Sequence, residues 1–276
     1  MEYKSIAGIK LPAIGIGTWD MGRAKGLEGM GERPEYSNDE SHIAAIKEAI
    51  RFGMWHIDTA EMYSGGHAEE IAGAAIKRIP RKKVFVTTKV LPSHLKHDDL
   101  IASAEASLKR LQMEYVDLYL IHWLNSTSQI KEAIAAMDEL VKAGKVKHIG
   151  VSNFSVKQLE LAQSYTKNKI VTNQVEYNLL ERSCEEKLLP YCQDNDILLT
   201  AYSPLAQGKL LKNKVLAAVA AKHGKTIAQA ALNWLVSRKN VIAIPKASSV
   251  EHVRENAGAV GWKLTAEDTE LIKKEF

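Results

Sequence analysis

Short apolar, β-branched runs alternate along the chain with longer segments in which apolar residues recur at a helical period of about 3.6 residues. Each short run is bounded by polar residues or by turn-forming residues, as strands are. The pattern predicts eight strands, at Ile14–Gly17, Trp55–Asp58, Val84–Val90, Val116–His122, Val146–Ser152, Ile170–Val175, Ile197–Tyr202 and Val241–Pro245.

The segments between these strands are amphipathic and predict helices at 39–52, 67–78, 97–111, 128–143, 155–165, 184–195, 212–223, 226–237 and 250–258. Asp39 is the predicted N-cap of the first helix, and Gly53, Gly144 and Gly224 stand where C′ glycines are expected. Repeated βα units imply parallel strands with helices outside them. The predicted fold class is therefore α/β, an (α/β)8 TIM barrel.

Both ends of the chain carry predicted additions to this barrel. Tyr3–Ile9, with Gly8 at its bend, predicts an N-terminal β-hairpin that closes the bottom, and 263–275 predicts an additional C-terminal helix. The glycine-rich stretch Asp20–Asn38 has no periodicity and predicts a long loop at the catalytic mouth. We expect one domain over residues 1–276.

Composition narrows the function classes. The chain has 37 Lys and Arg against 33 Asp and Glu, and the two signs are interspersed, which argues against nucleic-acid or membrane-surface binding. Cys184 and Cys192 have neither zinc-site nor CxxC spacing and favour a reducing compartment. The chain start lacks a signal-peptide pattern, and no apolar stretch reaches the ~18 residues of a membrane span, so we expect a cytoplasmic protein.

Polar residues stand at the ends of the second, third and fourth predicted strands, where a parallel barrel places its active site. Asp58, Lys89 and His122 occupy these ends, and Tyr63 follows in the next loop. A carboxylate would hold the Lys89 ammonium, which would lower the pKa of Tyr63 from its free value of about 10. Tyr63 is then a candidate general acid–base, with a neutral His122 orienting a carbonyl oxygen. The set suits protonation of an oxyanion as hydride reaches carbon, and we expect no metal.

Other interpretations of these residues stay open at this point. Each polar residue alone is more often part of a structural salt bridge, and Lys89 could instead form a Schiff base, as in an aldolase-type enzyme. Gly15-Ile16-Gly17 begins like a dinucleotide fingerprint, but Asp20 takes the place of its third glycine. Ser64–His67 is interpreted as a turn leading into a helix. The remaining histidines are interpreted as structural, His56 and His148 as satisfied barrel-wall residues and His94 and His97 as a solvated pair.

Four ordered motifs resemble those of the aldo-keto reductases, and the resemblance runs from Leu11 to Trp262-Lys263-Leu264-Thr265. They are GMWHIDTAEMY at 53–63, VDLYLIHW at 116–123, GKVKHIGVSNF at 144–154 and VIAIPKASS at 241–249. The resemblance implies NAD(P)H-dependent reduction of aldehydes and ketones to alcohols by a monomer. It also implies a catalytic set of Asp58, Tyr63, Lys89 and His122, with Tyr63 as the proton donor.

The resemblance further implies a nicotinamide cofactor extended across the barrel mouth. The implied cofactor-binding residues are Thr18, Trp19, Asp58, Ser152, Asn153, Gln174, Tyr202, Ser203, Leu205, Lys246, Ser248, His252, Glu255 and Asn256. At the nicotinamide end, the resemblance implies that Ser152, Asn153 and Gln174 bind the carboxamide and that Tyr202 stacks on the ring. It implies that Ser203 and Leu205 lie along the pyrophosphate. At the other end, Lys246 pairs with the 2′-phosphate, with Ser248 nearby, and Glu255 and Asn256 contact the adenine.

One position departs from the family. His252 stands where the family often has an arginine, and a neutral imidazole cannot grip a phosphate as a guanidinium does. Arg254 lies two positions further along the helix and points elsewhere. We therefore expect NADPH to be preferred, with NADH also used.

Four residues are the implied substrate pocket: Trp19, Tyr63, His122 and Trp123. The short stretch after the last helix, ending at Phe276, favours an open pocket with broad specificity for small carbonyl compounds. A binding or redox-sensing module with the same nicotinamide site is the second hypothesis. An intact set of four catalytic candidates argues against it.

Overall fold

The structure is a computed structural model and describes residues 1–23 and 34–276. Its main sheet has eight parallel strands that hydrogen-bond in chain order: β3 Ile16–Gly17, β4 His56–Asp58, β5 Phe85–Val90, β6 Val116–Ile121, β7 Val146–Ser152, β8 Ile170–Glu176, β9 Leu198–Tyr202 and β10 Val241–Ala243. Every position of the central strands β5 and β6 is buried. Strands that are covered on both faces show no alternation between buried and exposed positions.

The sheet closes into a ring between its first and last strands. Ile14 forms a parallel bridge with Ala243, and Gly17 forms one with Lys246. A Cβ atom on Gly17 would lie 2.7 Å from the carbonyl oxygen of Ile244, so only glycine allows this close approach of the two backbones. The predicted (α/β)8 barrel is confirmed.

Ten α-helices follow within the described residues: α1 Asp39–Arg51, α2 His67–Ile76, α3 His97–Leu111, α4 Ile130–Lys142, α5 Val156–Ser164, α6 Leu188–Asp194, α7 Lys214–Lys222, α8 Ile227–Val236, α9 Val250–Ala257 and α10 Ala266–Glu275. Ser155, Thr226 and Thr265 begin α5, α8 and α10 with capping boxes, which satisfy main-chain N–H groups at those ends. No helix of this part of the chain is long and apolar enough to cross a membrane.

The predicted glycine C-caps are confirmed, whereas the predicted N-cap of α1 is wrong. Gly53, Gly144 and Gly224 have φ values of 85°, 72° and 61°, the left-handed conformation that ends helices. Asp39 is the first residue of α1 rather than its cap. Its carboxylate instead accepts a hydrogen bond from Nε2 of His67 at 2.9 Å, which joins α1 to α2.

The predicted N-terminal hairpin is confirmed and is longer than expected. Its strands are β1 Tyr3–Ile6 and β2 Ile9–Pro12, and Ala7 and Gly8 form the turn with positive φ values. The predicted long loop after β3 is described only at its ends, because residues 24–33 lie outside the described part of the chain. Those ends meet through an antiparallel bridge between Arg23 and Pro34.

Candidate active site

Lys89 lies at the centre of a buried polar cluster at the carboxyl ends of the barrel strands. Its Nζ atom donates to Oδ1 of Asp58 at 2.6 Å, to the carbonyl oxygen of Thr59 at 2.7 Å and to the hydroxyl of Tyr63 at 3.1 Å. The register pairs Asp58 with Thr87, so Lys89, two residues along β5, points to the same side of the sheet. Three of the four predicted catalytic residues are therefore in direct contact.

Burial and charge set the protonation states of this cluster. Burial disfavours the charged form of Lys89, but the carboxylate of Asp58 and the Tyr63 hydroxyl outweigh it and raise the lysine pKa above its ordinary value. Burial also raises the pKa of Tyr63, and the opposing positive charge of Lys89 does not cancel this effect. The expectation that Lys89 would lower the pKa of Tyr63 below 10 is wrong for this geometry, because desolvation of the phenolate is the larger effect.

Tyr63 is held by a tight turn between β4 and α2. Ser64, Gly65 and Gly66 all have positive φ values, which confirms the predicted turn leading into a helix. The hydroxyl of Ser64 donates a 2.7 Å hydrogen bond to the carbonyl oxygen of Met21 and so fixes the turn against the segment that follows β3. A phenol on such a constrained turn has little freedom to leave the lysine.

His122 completes the predicted catalytic set beside Tyr63. The two rings meet edge to face, with centroids 5.7 Å apart, and Trp123 stacks on the imidazole at 3.9 Å. Burial, assisted by the positive charge of Lys89, lowers the pKa of His122 to about 2. The imidazole is therefore neutral at physiological pH, as expected, and its buried Nδ1 has no hydrogen-bond partner among the described residues.

The residues that the resemblance assigns to a carboxamide form one hydrogen-bonded chain next to this cluster. The hydroxyl of Ser152 donates to the main-chain oxygen of Gln174 at 2.8 Å, and Nδ2 of Asn153 donates to Oγ of Ser152 at 2.9 Å. The Tyr202 hydroxyl donates to Oδ1 of Asn153 at 3.0 Å, which sets its ring at the same edge of the barrel. Amide and hydroxyl groups beside a half-buried aromatic ring fit an amide-bearing aromatic ligand.

Two hydrogen bonds connect this row of side chains to the buried polar cluster around Lys89. Nε2 of Gln174 donates to Oδ2 of Asp58 at 2.7 Å, and Nδ2 of Asn153 donates to the carbonyl oxygen of His122 at 3.2 Å. Asn153 has a φ of 60°, an uncommon conformation for which asparagine is among the better-suited residues. The predicted carboxamide-binding residues and the predicted catalytic residues thus share one network.

The remaining predicted cofactor residues lie further round the barrel mouth. Ser203 has a φ of 47° immediately after β9, and Leu205 follows in a half-buried position. The ammonium of Lys246, just beyond β10, lies 2.9 Å from Oδ2 of Asp20 and is more than a third exposed. Ser248 is half-buried two residues later.

Helix α9 carries the predicted cofactor-binding residues His252, Glu255 and Asn256 and packs against α1 and α8. His252 is exposed, Glu255 is half-buried and Asn256 is buried. The Nε atom of Arg254 donates to Oε1 of Glu48 on α1 at 2.9 Å. Arg254 is thus engaged with α1, and the expectation that it does not replace an arginine at position 252 agrees with this contact.

The predicted aromatic pocket residues differ in burial. Trp19 is 47% exposed, while Trp123 is half-buried against His122. Thr18, just before Trp19, donates both its amide and its hydroxyl to the main-chain oxygen of Asp58, at 2.9 and 3.1 Å. Thr18 thus supports the backbone beside the predicted catalytic carboxylate of Asp58.

Three of the four histidines interpreted as structural, His94, His97 and His56, differ from expectation in their contacts. His94 contacts Glu61 and Ser103, and His97 contacts Asp98 and Glu139, so the solvated-pair interpretation is incomplete. His56 meets the Thr87 hydroxyl through Nε2 at 3.0 Å. Its buried Nδ1 has no partner among the described residues, so the expectation of a fully satisfied histidine is wrong.

Sequence reasoning missed two contacts at the barrel mouth. The main-chain oxygen of Thr59 accepts from Lys89, and a main-chain acceptor has no signal in the residue type. Asp20 is notable in the sequence only because it interrupts a glycine motif, and nothing near it indicates that its carboxylate contacts Lys246.

Comparisons with known proteins agree with this geometry. The sequence profile of the Aldo/keto reductase family matches residues 13–275. The methylglyoxal reductase YeaE of Escherichia coli (strain K12) is 39% identical, over 100% of this chain and 96% of that protein. A thermostable aldo-keto reductase solved with the inhibitor epalrestat is 46% identical, with a TM-score of 0.92 and 99% of each chain covered. An aldo/keto reductase from Klebsiella pneumoniae, solved with NADP and acetate, is 35% identical, with a TM-score of 0.89, over 99% of this chain and 95% of that one.

Proposed function

The chain belongs to the aldo-keto reductase family of oxidoreductases, and from that premise we propose that it reduces aldehydes and ketones to alcohols with a nicotinamide cofactor, with Tyr63 as the general acid. One observation carries the proposal. The buried ammonium of Lys89 bridges the carboxylate of Asp58 and the hydroxyl of Tyr63, beside a neutral His122.

The proposed cofactor is NADPH, with NADH also accepted. Support comes from the Klebsiella relative solved with NADP and from Lys246, whose partly exposed ammonium lies at the barrel mouth. Ser152, Asn153 and Gln174 would hold the carboxamide and Tyr202 would stack on the ring; Ser203 and Leu205 would line the pyrophosphate, and Ser248, His252, Glu255 and Asn256 the adenosine end. When bound, the cofactor supplies a hydride to the carbonyl carbon.

Tyr63 donates the proton that the reduction requires. As hydride arrives at carbon, the C=O π electrons move to oxygen, and the Tyr63 hydroxyl transfers its proton there to give the alcohol. The raised pKa of Tyr63, caused by burial, keeps the phenol protonated at neutral pH and ready to donate. The ammonium of Lys89, 3.1 Å away, then stabilises the phenolate until solvent returns the proton.

Asp58 and His122 position the groups on either side of this transfer. The carboxylate of Asp58 lies 2.6 Å from the Lys89 ammonium, so the positive charge of the lysine is kept in a fixed position. A neutral His122 can hydrogen-bond to the substrate oxygen without competing with Tyr63 as an acid. Trp19 and Trp123 would supply the apolar walls of the pocket.

Small 2-oxoaldehydes are the proposed substrate class. The relative that is 39% identical over the full chain is a methylglyoxal reductase, and the neighbouring aromatic side chains suit a compact carbonyl compound. Schiff-base chemistry at Lys89 is disfavoured, because an amine nucleophile must be unprotonated. Its Nζ donates to three acceptors, and its pKa is raised by Asp58 and Tyr63 against the effect of burial.

The test compares wild type with Tyr63→Phe, using NADPH absorbance with methylglyoxal as the substrate. We expect kcat to fall by about 10²- to 10⁴-fold, the usual contribution of a general acid. Cofactor affinity, measured separately by fluorescence titration, should change little because Tyr63 contacts Lys89 rather than the predicted carboxamide residues. Tyr165→Phe, at an exposed tyrosine on the surface, is the matched control.

Two outcomes would contradict the proposal. Turnover that survives in Tyr63→Phe would exclude this residue as the acid. A wild-type protein that binds NADPH but reduces no small carbonyl would favour the redox-sensing module instead.

A further inference from the structure

The ammonium of Lys246 has an anionic partner supplied by the chain itself. Oδ2 of Asp20 lies 2.9 Å from Nζ of Lys246, and Oδ1 of the same carboxylate lies 3.2 Å from Nη1 of Arg23. Both members of the Asp20–Lys246 pair are partly exposed at the barrel mouth. A ligand phosphate that uses Lys246 therefore meets a site where a carboxylate is already in contact with the lysine.

The fold brings these two residues together across the seam of the barrel. Gly17 and Lys246 form the parallel bridge that closes the ring, and Asp20 lies three residues beyond Gly17. Asp20 adopts a left-handed backbone conformation, with a φ of 71°, within a turn in which the Met21 amide donates to the Thr18 carbonyl oxygen at 3.0 Å. The turn thereby directs the carboxylate back toward the lysine, so the contact does not depend on a flexible surface side chain alone.

We propose that Asp20 is a specificity-determining residue that weakens the binding of 2′-phosphorylated nicotinamide cofactors. This inference rests on the proposed function, which assigns Lys246 to the 2′-phosphate. A phosphate monoester carries a charge of about −1.5 to −2 near pH 7 and must either share Lys246 with Asp20 or displace the carboxylate. NADH lacks that phosphate and does not require the lysine. Asp20 therefore narrows the difference in affinity between the two cofactors.

Arg23 gives Asp20 a second contact besides Lys246, because its Nη1 atom lies 3.2 Å from Oδ1 of the carboxylate. This contact holds the carboxylate beside the lysine, well inside the screening length of about 8 Å at physiological salt. The guanidinium is itself positive and offsets part of the direct repulsion between Asp20 and a phosphate. Competition for the Lys246 ammonium is therefore the main effect of Asp20.

Asp20→Asn is the informative substitution, because asparagine tolerates the left-handed conformation as well as aspartate does and removes only the charge. Calorimetry with 2′,5′-ADP and 5′-AMP, and fluorescence titration with NADPH and NADH, measure binding without turnover. We expect Asp20→Asn to tighten the two 2′-phosphorylated ligands by about fivefold, the upper range for one partly exposed charge pair. The affinities for NADH and 5′-AMP should change by less than about twofold, since neither has a group that needs Lys246.

A double-mutant cycle with Lys246→Met isolates the pair. In the Lys246→Met background the Asp20→Asn substitution should no longer improve NADPH binding beyond the small effect of removing a distant charge. Asp98→Asn, which removes a fully exposed carboxylate on α3, is the control for net charge. Raising the salt concentration should reduce the difference in NADPH affinity between wild type and Asp20→Asn, because salt screens the charge of Asp20.

Equal changes in NADPH and NADH affinity would overturn the inference, since they would mean that Asp20 only holds the turn in place. An Asp20→Asn effect that persists in Lys246→Met would overturn it as well. The readout is nucleotide binding, so a failure of carbonyl turnover in the Tyr63 test would leave this result standing. Conversely, if the ratio of NADPH affinity to NADH affinity is the same in Asp20→Asn as in wild type, the proposed role of Asp20 is rejected and the reductase assignment is unaffected.

Discussion

Gln174 donates a 2.7 Å hydrogen bond from its side-chain amide to Oδ2 of Asp58, while Lys89 holds the other carboxylate oxygen at 2.6 Å. Asp58 ends β4 and Gln174 lies on β8, four strands further round an eight-strand ring, so the bond crosses the barrel mouth. Both oxygens of the carboxylate are thereby fixed. A residue that the family resemblance assigns to the cofactor also positions the carboxylate that holds Lys89.

Replacing Gln174 with Leu should destabilise the protein. The substitution leaves Oδ2 of Asp58 buried without this donor, and an unsatisfied buried acceptor costs about 1–3 kcal/mol. Urea denaturation followed by circular dichroism should show that loss in the free energy of unfolding. Gln193→Leu is the matched control, because the Gln193 side chain bonds a main-chain oxygen at an exposed site and should cost less than about 0.5 kcal/mol. Equal stability of the two variants would contradict the proposed positioning role.

The rate of carbonyl reduction should show no change with pH that comes from titration of a histidine. Burial and Lys89 lower the pKa of His122 to about 2, so the imidazole stays neutral from pH 5 to pH 9. Burial raises the pKa of Tyr63 above its ordinary value of 10, and the phenol must be protonated to donate. The single-turnover rate of reduction is therefore expected to be flat over this range and to fall only above it, as the phenol loses its proton.

His122→Asn provides the comparison for this profile. Asparagine retains a neutral hydrogen-bonding group, so the variant should be slower while keeping the same flat profile. A rate limb near pH 6 to 7 in wild type that disappears in His122→Asn would show that the imidazole titrates there, and would contradict the neutral assignment.

Much of the fold follows from the residue pattern because the barrel strands are buried on both faces. Each position of β5 and β6 is buried, and neither run has the 3.6-residue period of the amphipathic helices around them, although β5 carries Thr87, Thr88 and Lys89. The ends of elements are less predictable. Asn38 and Asp39 are both common N-cap residues, and only the three-dimensional position of His67 shows that Asp39 serves another contact.

The candidate site also has a part that the sequence predicts and a part that it does not. Asp58, Lys89 and His122 were predictable because the carboxyl ends of neighbouring parallel strands meet at one edge. The Asp20–Lys246 pair joins residues that are 226 positions apart, and it depends on closure of the barrel at Gly17. No local sequence pattern therefore predicts it. The direction of the Tyr63 pKa shift was also inaccessible, because it depends on whether burial outweighs the charge of Lys89.

A buried ion pair outside the barrel supports the strand that carries Lys89, and it yields the last prediction. Glu69 on α2 is fully buried; one carboxylate oxygen accepts from the hydroxyl of Thr88, and the other accepts from Nε of Arg110 at 2.6 Å. Thr88 precedes Lys89 on β5 and faces the opposite side of the strand. Burial raises the pKa of Glu69, although Arg110 opposes the shift.

Arg110→Met should reduce the free energy of unfolding by about 3–5 kcal/mol at pH 8, because it leaves a buried carboxylate without its cation. The loss should shrink at pH 5. Without Arg110 the folded-state pKa of Glu69 rises further above its unfolded value, so stability is greatest when the carboxyl is protonated and declines as pH rises through the folded pKa. Lys109→Met removes an exposed neighbouring charge and serves as the control in denaturation experiments at both pH values. A loss of equal size at pH 5 and pH 8 would mean that Arg110 acts through packing of its side chain rather than through its charge, since packing does not titrate with Glu69.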